Sequence, residues 1–352
     1  MQQIRNIPQK YLNIIFVFAS LLVYNSIILY KYKNYGLLTR NYILAQFSFT
    51  YQKVGFISRG LVPSILELFD MNSKIYILIC FNIFIILYTY AILKILNLYS
   101  ASKTRLSVIA FLFLFFGVPH FAQDAFRMDL VIQTICLFIF ISLKRHQIIA
   151  VLILSIISMF VHEASIFLII PILFISKLST YKKISTTIFL SLLFILISIY
   201  STKINEHYAI KLVQNYLHIY SIPKEIYLLH IQKIDTTFTN IFSTYNLSIL
   251  ILVGFIYIVI LIFSFPKLFK ANTYKFSFLV FFPLLLCLIA VDYYRWYCFM
   301  FFLAMIMYYN YGYIFTRKSF YILLGTTILL GIPDSINLRF GVLPLLLQII
   351  GK

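Results

Sequence analysis

Negative charge is what this sequence has least of. Ten acidic residues stand against 29 lysines and arginines in 352 positions, and charged residues of both signs make up 11% of the chain. Soluble domains carry about 25% charged and about 45–50% apolar residues, so a composition 62% hydrophobic and 19% aromatic falls outside that class. It reads as an integral membrane protein. Cysteine is sparse as well: Cys80, Cys136, Cys287 and Cys298 sit in or beside apolar runs with no CxxC spacing and no His partner. That removes the disulfide and metal-centre readings and leaves small buried hydrophobes. No P-loop, GxGxxG or GxSxG is present, so nucleotide-driven transport and the hydrolase elbow find no support. No group of carboxylates resembles a metal site, and a metal-independent reaction without a cofactor is the expectation. A formal charge of +19 would point a soluble protein toward nucleic acid. Here the lysines punctuate apolar spans instead of forming a tract, so they read as orientation signals and lipid-headgroup contacts, and nucleic acid is not an expected partner.

What is present is a succession of apolar segments near 11–30, 75–93, 106–119, 130–143, 148–161, 164–176, 184–200, 247–265, 276–291, 296–310, 319–333 and 341–351. The expected fold class is all-α, a polytopic integral membrane helical bundle of about 10–12 transmembrane segments with two larger periplasmic loops. It forms one transmembrane domain over residues 1–352. The first segment, Tyr11 to Tyr30, follows Arg5 and Lys10 like a signal peptide but lacks a small-residue cleavage site, so it stays as the first membrane helix. The segments at 164–176 and 341–351 are the weakest, and 148–176 could fold as one long tilted helix. The two large loops are 31–73 and 201–246; the second holds an amphipathic stretch with Ile210, Val213, Leu217 and Tyr220 at helical spacing, expected to lie in the interface.

With the N-terminus in the cytoplasm and each segment crossing once, the inner loops carry Lys94, Lys103, Arg105, Lys144, Arg145, Lys177, Lys182, Lys183 and other basic residues, and no acid. Every carboxylate then lies on the periplasmic side: Glu67, Asp70, Asp124, Asp129, Glu163, Glu206, Glu225, Asp235, Asp292 and Asp334. The excess of inner lysine and arginine favours this orientation, against which Lys31, Lys33, Arg40, Lys53 and Arg59 crowd the first outer loop.

Four outer clusters join an anion binder to an acid or base. In Ser58-Arg59-Gly60 the glycine lets backbone approach a ligand and Arg59 offers a planar fork to phosphate, or else binds lipid headgroups. Between Pro119 and Asp129 lies a polar knot, His120-Phe121-Ala122-Gln123-Asp124-Ala125-Phe126-Arg127-Met128, dense for so poorly charged a chain. Its Asp124 and Arg127, three apart, could equally pair with each other. His162-Glu163 interrupts an apolar run, where a charge costs about 2.5–3.5 kcal/mol and needs a partner, a water-filled cavity or a task. The pair is either a general base or a structural polar bridge. Ile166 stands where a zinc motif would place its second His. Asp292-Tyr293-Tyr294-Arg295-Trp296 has the same spacing-three pair, Asp292 with Arg295, and Asp334 and Arg339 form a similar but weaker pair, five apart, near the C-terminus.

Taken together, Gly55-Phe56-Ile57-Ser58-Arg59-Gly60-Leu61, Asp124-Ala125-Phe126-Arg127-Met128-Asp129, His162-Glu163 and Asp292-Tyr293-Tyr294-Arg295-Trp296 resemble motifs of the bacterial polysaccharide polymerases of the Wzy type, the O-antigen and capsule polymerases, and more loosely the EpsG-like group. The resemblance spans nearly the whole chain. It implies an inner-membrane glycosyltransferase of lipopolysaccharide or capsule biosynthesis that moves a glycan from undecaprenyl pyrophosphate to the terminal sugar of another lipid-linked repeat unit, at the periplasmic face. It also implies contact with membrane lipid and with a chain-length regulator. Arg59, Arg127, Arg295 and Arg339 are then the candidate pyrophosphate binders, and His162, Glu163, Asp124, Asp129 and Asp292 the candidate acids and bases. An O-antigen ligase shares this chemistry. A polyprenyl-phosphate-sugar transferase would place an acid early in the first outer loop, whereas residues 31–66 hold none. A transporter or flippase of lipid-linked glycans would favour charges near the midplane on broken helices in repeated halves, and no repeat is evident.

Overall fold

The computed structural model describes residues 9–36, 41–57, 59–69, 74–97, 105–201, 206–217, 244–271, 273–288, 293–313, 315–333, 338–339 and 342. Among these the regular structure is helical, apart from a two-residue antiparallel pairing of Ile332–Pro333 with Leu338–Arg339. Four stretches are long and apolar enough to cross a membrane: Tyr11–Asn34, Lys74–Leu96, Leu106–Gln123 and Thr180–Tyr200. A helix satisfies its own backbone, which is what an apolar surrounding demands. The outer helices α1 (Gln9–Tyr35) and α11 (Thr180–Tyr200) leave Phe18, Leu22, Ile199 and Tyr200 exposed. An apolar surface of that extent is compatible with a membrane-embedded protein.

Residues 31–73, read from sequence as a loop, are largely structured. α1 continues to Tyr35, and the short helices α2 (Asn41–Ala45), α3 (Tyr51–Val54) and α4 (Leu61–Leu68) follow, carrying Phe47, Phe49 and Ile57 into the core. α5 (Lys74–Asn97) packs antiparallel to α1, joined by Asn25 Nδ2 donating to Asn82 Oδ1 at 2.7 Å. Amides are effective glue between helices that have no water to compete with.

The segment expected at 106–119 is broken. α6 (Arg105–Phe113) gives way to a turn, and α7 (Val118–Gln123) restarts after Gly117. A Cβ at Gly117 would lie 2.2 Å from the Phe111 carbonyl oxygen, so only glycine lets the chain double back this closely. α7 and the following turn sit beside the middle of α5, with Tyr88 against Phe121 at 5.0 Å and Phe81 against Phe126 at 5.4 Å between ring centroids.

α8 (Asp129–Lys144) and α9 (Ile148–Val161) form an antiparallel hairpin through a turn at His146, whose φ is 58°. At His162 the chain does not continue as one long helix. A 3-10 turn, Glu163–Ser165, leads into α10 (Ile166–Ile175), which runs back the other way. α12 (Glu206–Leu217) contains the amphipathic stretch: Val213 is fully buried, and Tyr208 Oη donates to the Lys53 carbonyl at 2.8 Å. Tyr220 lies outside the described residues. α13 (Thr244–Ser264), α14 (Pro266–Ala271) and α15 (Thr273–Phe281) come next; the segment expected at 276–291 changes to a 3-10 run over Phe282–Leu288. α16 (Tyr293–Asn310) is buried from Arg295 to Tyr309 and forms the centre of the bundle, and α17 (Arg317–Leu330) closes it. An element apolar on every side, like α16, belongs in an interior. Its rings interlock with neighbours, Phe301 edge-on to Phe115 at 4.8 Å and Tyr297 stacked on Tyr257 at 4.9 Å.

Two cross-links fix which helix ends lie together. Arg295, in the first turn of α16, is bonded to Asp129 at the start of α8, while Asn310 Nδ2 at the far end of α16 donates to the Ile175 carbonyl at 2.9 Å. Asp129, Arg295 and the His162–Glu163 apex therefore share one end of the bundle. The Lys144 turn and Lys177, which feel each other's charge, share the other.

Candidate active site

Three arginine–carboxylate pairs converge at the first end. Arg59 grips Glu163 with two prongs, Nη2 to Oε1 at 2.7 Å and Nε to Oε1 at 3.1 Å. Their side chains are 23% and 21% exposed, which makes this pair the open one. Arg295 grips Asp129 through both carboxylate oxygens, Nε to Oδ2 at 2.6 Å and Nη2 to Oδ1, and both residues are buried. Arg127 pairs with Asp124 three residues earlier, Nε to Oδ2 at 2.9 Å, so the local pairing allowed by their spacing is present and buried. A planar fork matched to a carboxylate is the strongest geometry available to an ion pair, and in the Arg295–Asp129 pair it offsets the cost of burial.

Tight turns lie at both the first and the third arginine, with Arg59 inside its turn and Arg127 closing its own. Gly60 N–H donates to the Ile57 carbonyl at 3.2 Å and Arg127 N–H to the Asp124 carbonyl at 3.3 Å, closing two four-residue turns. In each turn the third residue has a positive φ, 70° at Arg59 and 69° at Phe126. A side chain in that conformation is strained. Around the first turn, a Cβ on Gly60 would fall 2.5 Å from the Tyr51 ring. Around the second, Gln46 Nε2 donates to the Phe126 carbonyl at 2.9 Å and Lys31 Nζ to the Gln123 carbonyl, so side chains from the first outer region satisfy the knot's backbone.

His162 feels the charges of both the open and the buried pair, Arg59 and Glu163, Arg295 and Asp129. Its Nδ1 accepts the Ala164 N–H at 3.1 Å and caps the 3-10 turn. An accepting Nδ1 carries no proton, so the proton resides on Nε2. The ring therefore presents a donor, which differs from the general-base role its position in the sequence offered. Glu163 Oε2 stands 3.5 Å from the same Nδ1, beyond good hydrogen-bond reach. His162 is 6% exposed, and its Nε2 has no partner among the described residues. The same holds for Nη1 of Arg59.

Of the remaining candidates, Asp292 lies outside the described residues, and Arg339 is placed by its backbone alone. Among the described residues Arg295 is joined to Asp129, a contact that sequence spacing could not indicate. Sequence reasoning also passed over His120, whose Nε2 stands 4.0 Å from Asp129 Oδ2, and the Lys53–Glu67 pair at 2.9 Å. His120 carried one signal, its place inside the polar knot. Among the described residues no three His, Cys, Asp or Glu side chains gather in a way that could hold a metal ion. Compared with protein-family models, with curated proteins and with solved structures, the chain matches none.

Proposed function

We propose that this protein is a polytopic enzyme of the bacterial inner membrane, with its N-terminus in the cytoplasm and about 10–12 crossings. It joins polyprenyl-diphosphate-linked glycans at the periplasmic face, as a polysaccharide polymerase does. One observation carries the reading: the open Arg59–Glu163 pair shares its end of the bundle with two buried arginine–carboxylate pairs, and the lysine-bearing turns lie at the opposite end. In glycosyl transfer the acceptor hydroxyl gives up a proton while a diphosphate leaves with the bonding electrons. The first event calls for a carboxylate, the second for a guanidinium in a site of low dielectric. Arg59 and Glu163 supply both.

Helix length sets the depth. With the Lys144 turn at the inner interface, α8 and α9 reach about 24 and 21 Å, short of a hydrocarbon core of about 30 Å. The site is then sunk below the outer surface, within reach of a headgroup diphosphate. Deleting the gene and complementing with Arg59→Ala tests this. The expected result is lipid A capped by a single repeat unit in place of a polymer ladder, with the protein still accumulating. A normal ladder refutes the assignment, and loss of even the single unit points to a ligase or a flippase.

A further inference from the structure

The open pair has an arrangement that a fixed bridge does not need. Arg59 spends Nε and one N–H of Nη2 on Glu163, leaving both Nη1 protons without a partner among the described residues. Beside it, the nearly buried His162, whose Nδ1 stands 3.5 Å from Glu163 Oε2, carries an Nε2–H with no partner among the described residues. These are donors left over, next to a carboxylate that is itself held by the guanidinium. We infer that Arg59 and His162 form a diphosphate-binding site in which the ligand displaces Glu163 from Arg59, and that Glu163, once released, becomes the base. The inference rests on the glycosyl-transfer reading and adds to it a mechanism of control.

A diphosphate offers more acceptor oxygens and more negative charge than one carboxylate, so it wins the exchange for a forked guanidinium. While Arg59 holds it, Glu163 is a poor proton acceptor, because the adjacent positive charge stabilises its ionised form. When the lipid-linked donor arrives, Arg59 and His162 Nε2–H turn to the diphosphate and that stabilisation is withdrawn. Glu163 then takes the proton of the acceptor hydroxyl; the hydroxyl oxygen bonds to the anomeric carbon, and the carbon–oxygen bond to the diphosphate breaks. The polyprenyl diphosphate departs with the electron pair, its charge met by Arg59 and His162. The base is thus armed only when the leaving group is in place, which guards against reaction without a donor.

The sign of one substitution separates exchange from a static bridge. Inorganic pyrophosphate is titrated by calorimetry into the purified full-length protein in nanodiscs. Wild type should bind weakly and Arg59→Ala should not bind. Glu163→Gln should bind about tenfold more tightly, since the competing carboxylate has lost its charge. His162→Asn, which retains a capping acceptor but lacks Nε2–H, should bind more weakly than wild type. Unchanged or weaker binding by Glu163→Gln, in protein with a normal gel-filtration profile, overturns the exchange. The two levels fail separately. Tighter pyrophosphate binding by Glu163→Gln with a normal glycan ladder in cells keeps the anion site and removes the transferase reading. A lost ladder without tighter binding removes the exchange and keeps the transferase.

Discussion

Removing Arg295 while leaving Asp129 in place should destabilise the bundle far more than removing both. The two residues are 5% and 2% exposed and joined by a forked hydrogen-bonded pair. Arg295→Met strands a carboxylate in the interior, and breaking a buried pair in this way typically costs about 3–5 kcal/mol. An independent bound agrees with that range. The orphan carboxyl can escape its charge by taking up a proton, and at pH 7 that costs about 4 kcal/mol relative to an ordinary aspartate. Replacing both partners, as in Asp129→Leu with Arg295→Met, removes the stranded charge, and such double replacements are often neutral. At roughly 2 °C per kcal/mol for a chain of this size, the single variant should lose about 6–10 °C in apparent midpoint and the double variant should recover most of it. Gel filtration of a fluorescent fusion, solubilised and heated in steps, reads this without pure protein. The reasoning is refuted if Arg295→Met melts within about 2 °C of wild type, or if the double variant falls by the sum of the two singles.

The strained backbone at Arg59 predicts a separation of stability from function. With φ at 70°, glycine there should be more stable than alanine by about 1 kcal/mol, because both lose the same ion pair and differ only in the cost of that backbone conformation. Both variants should be inactive, and an Arg59→Ala protein that melts as high as Arg59→Gly would contradict the strain. Sidedness is open to labelling. In a background where Cys80, Cys136, Cys287 and Cys298 are replaced by serine, an impermeant maleimide applied to intact spheroplasts should modify Phe69→Cys and spare His146→Cys. Reaction at both positions would place α4, which follows Arg59, and the α8–α9 turn on one face and dismantle the site.

Local signals were readable in the chain and tertiary ones were not. Asp124 and Arg127, three apart, pair as their spacing allows, at 2.9 Å. His162-Glu163 stood out because charge in an apolar run needs a reason, and the structure supplies one: the chain reverses there. Arg295 and Asp129 are 166 residues apart, and Arg59 and Glu163 are 104 apart. No periodicity relates them; only the packing of α8, α10 and α16 brings them together. The first outer region reads as a loop from its scattered lysines and aromatics, whereas Phe47, Phe49 and Ile57 are core residues and Lys31 donates to a backbone carbonyl. The cap made by His162 could not be foreseen either, since the residues that favour such positions are Ser, Thr, Asp and Asn.

The reversal of the chain at His162 constrains how the polypeptide enters a bilayer. Helices of 14 and 10 residues are each too short to partition alone, where about 17–25 are needed, and a carboxylate at their junction adds to the penalty. They must go in together as a wedge. Chain order then helps, because Arg59 is synthesised well before Glu163 and can meet the carboxylate as it arrives. Asp129 has the longer wait: its guanidinium belongs to a helix made near the end of translation, so the centre stays loosely assembled until the last third of the polypeptide has left the ribosome.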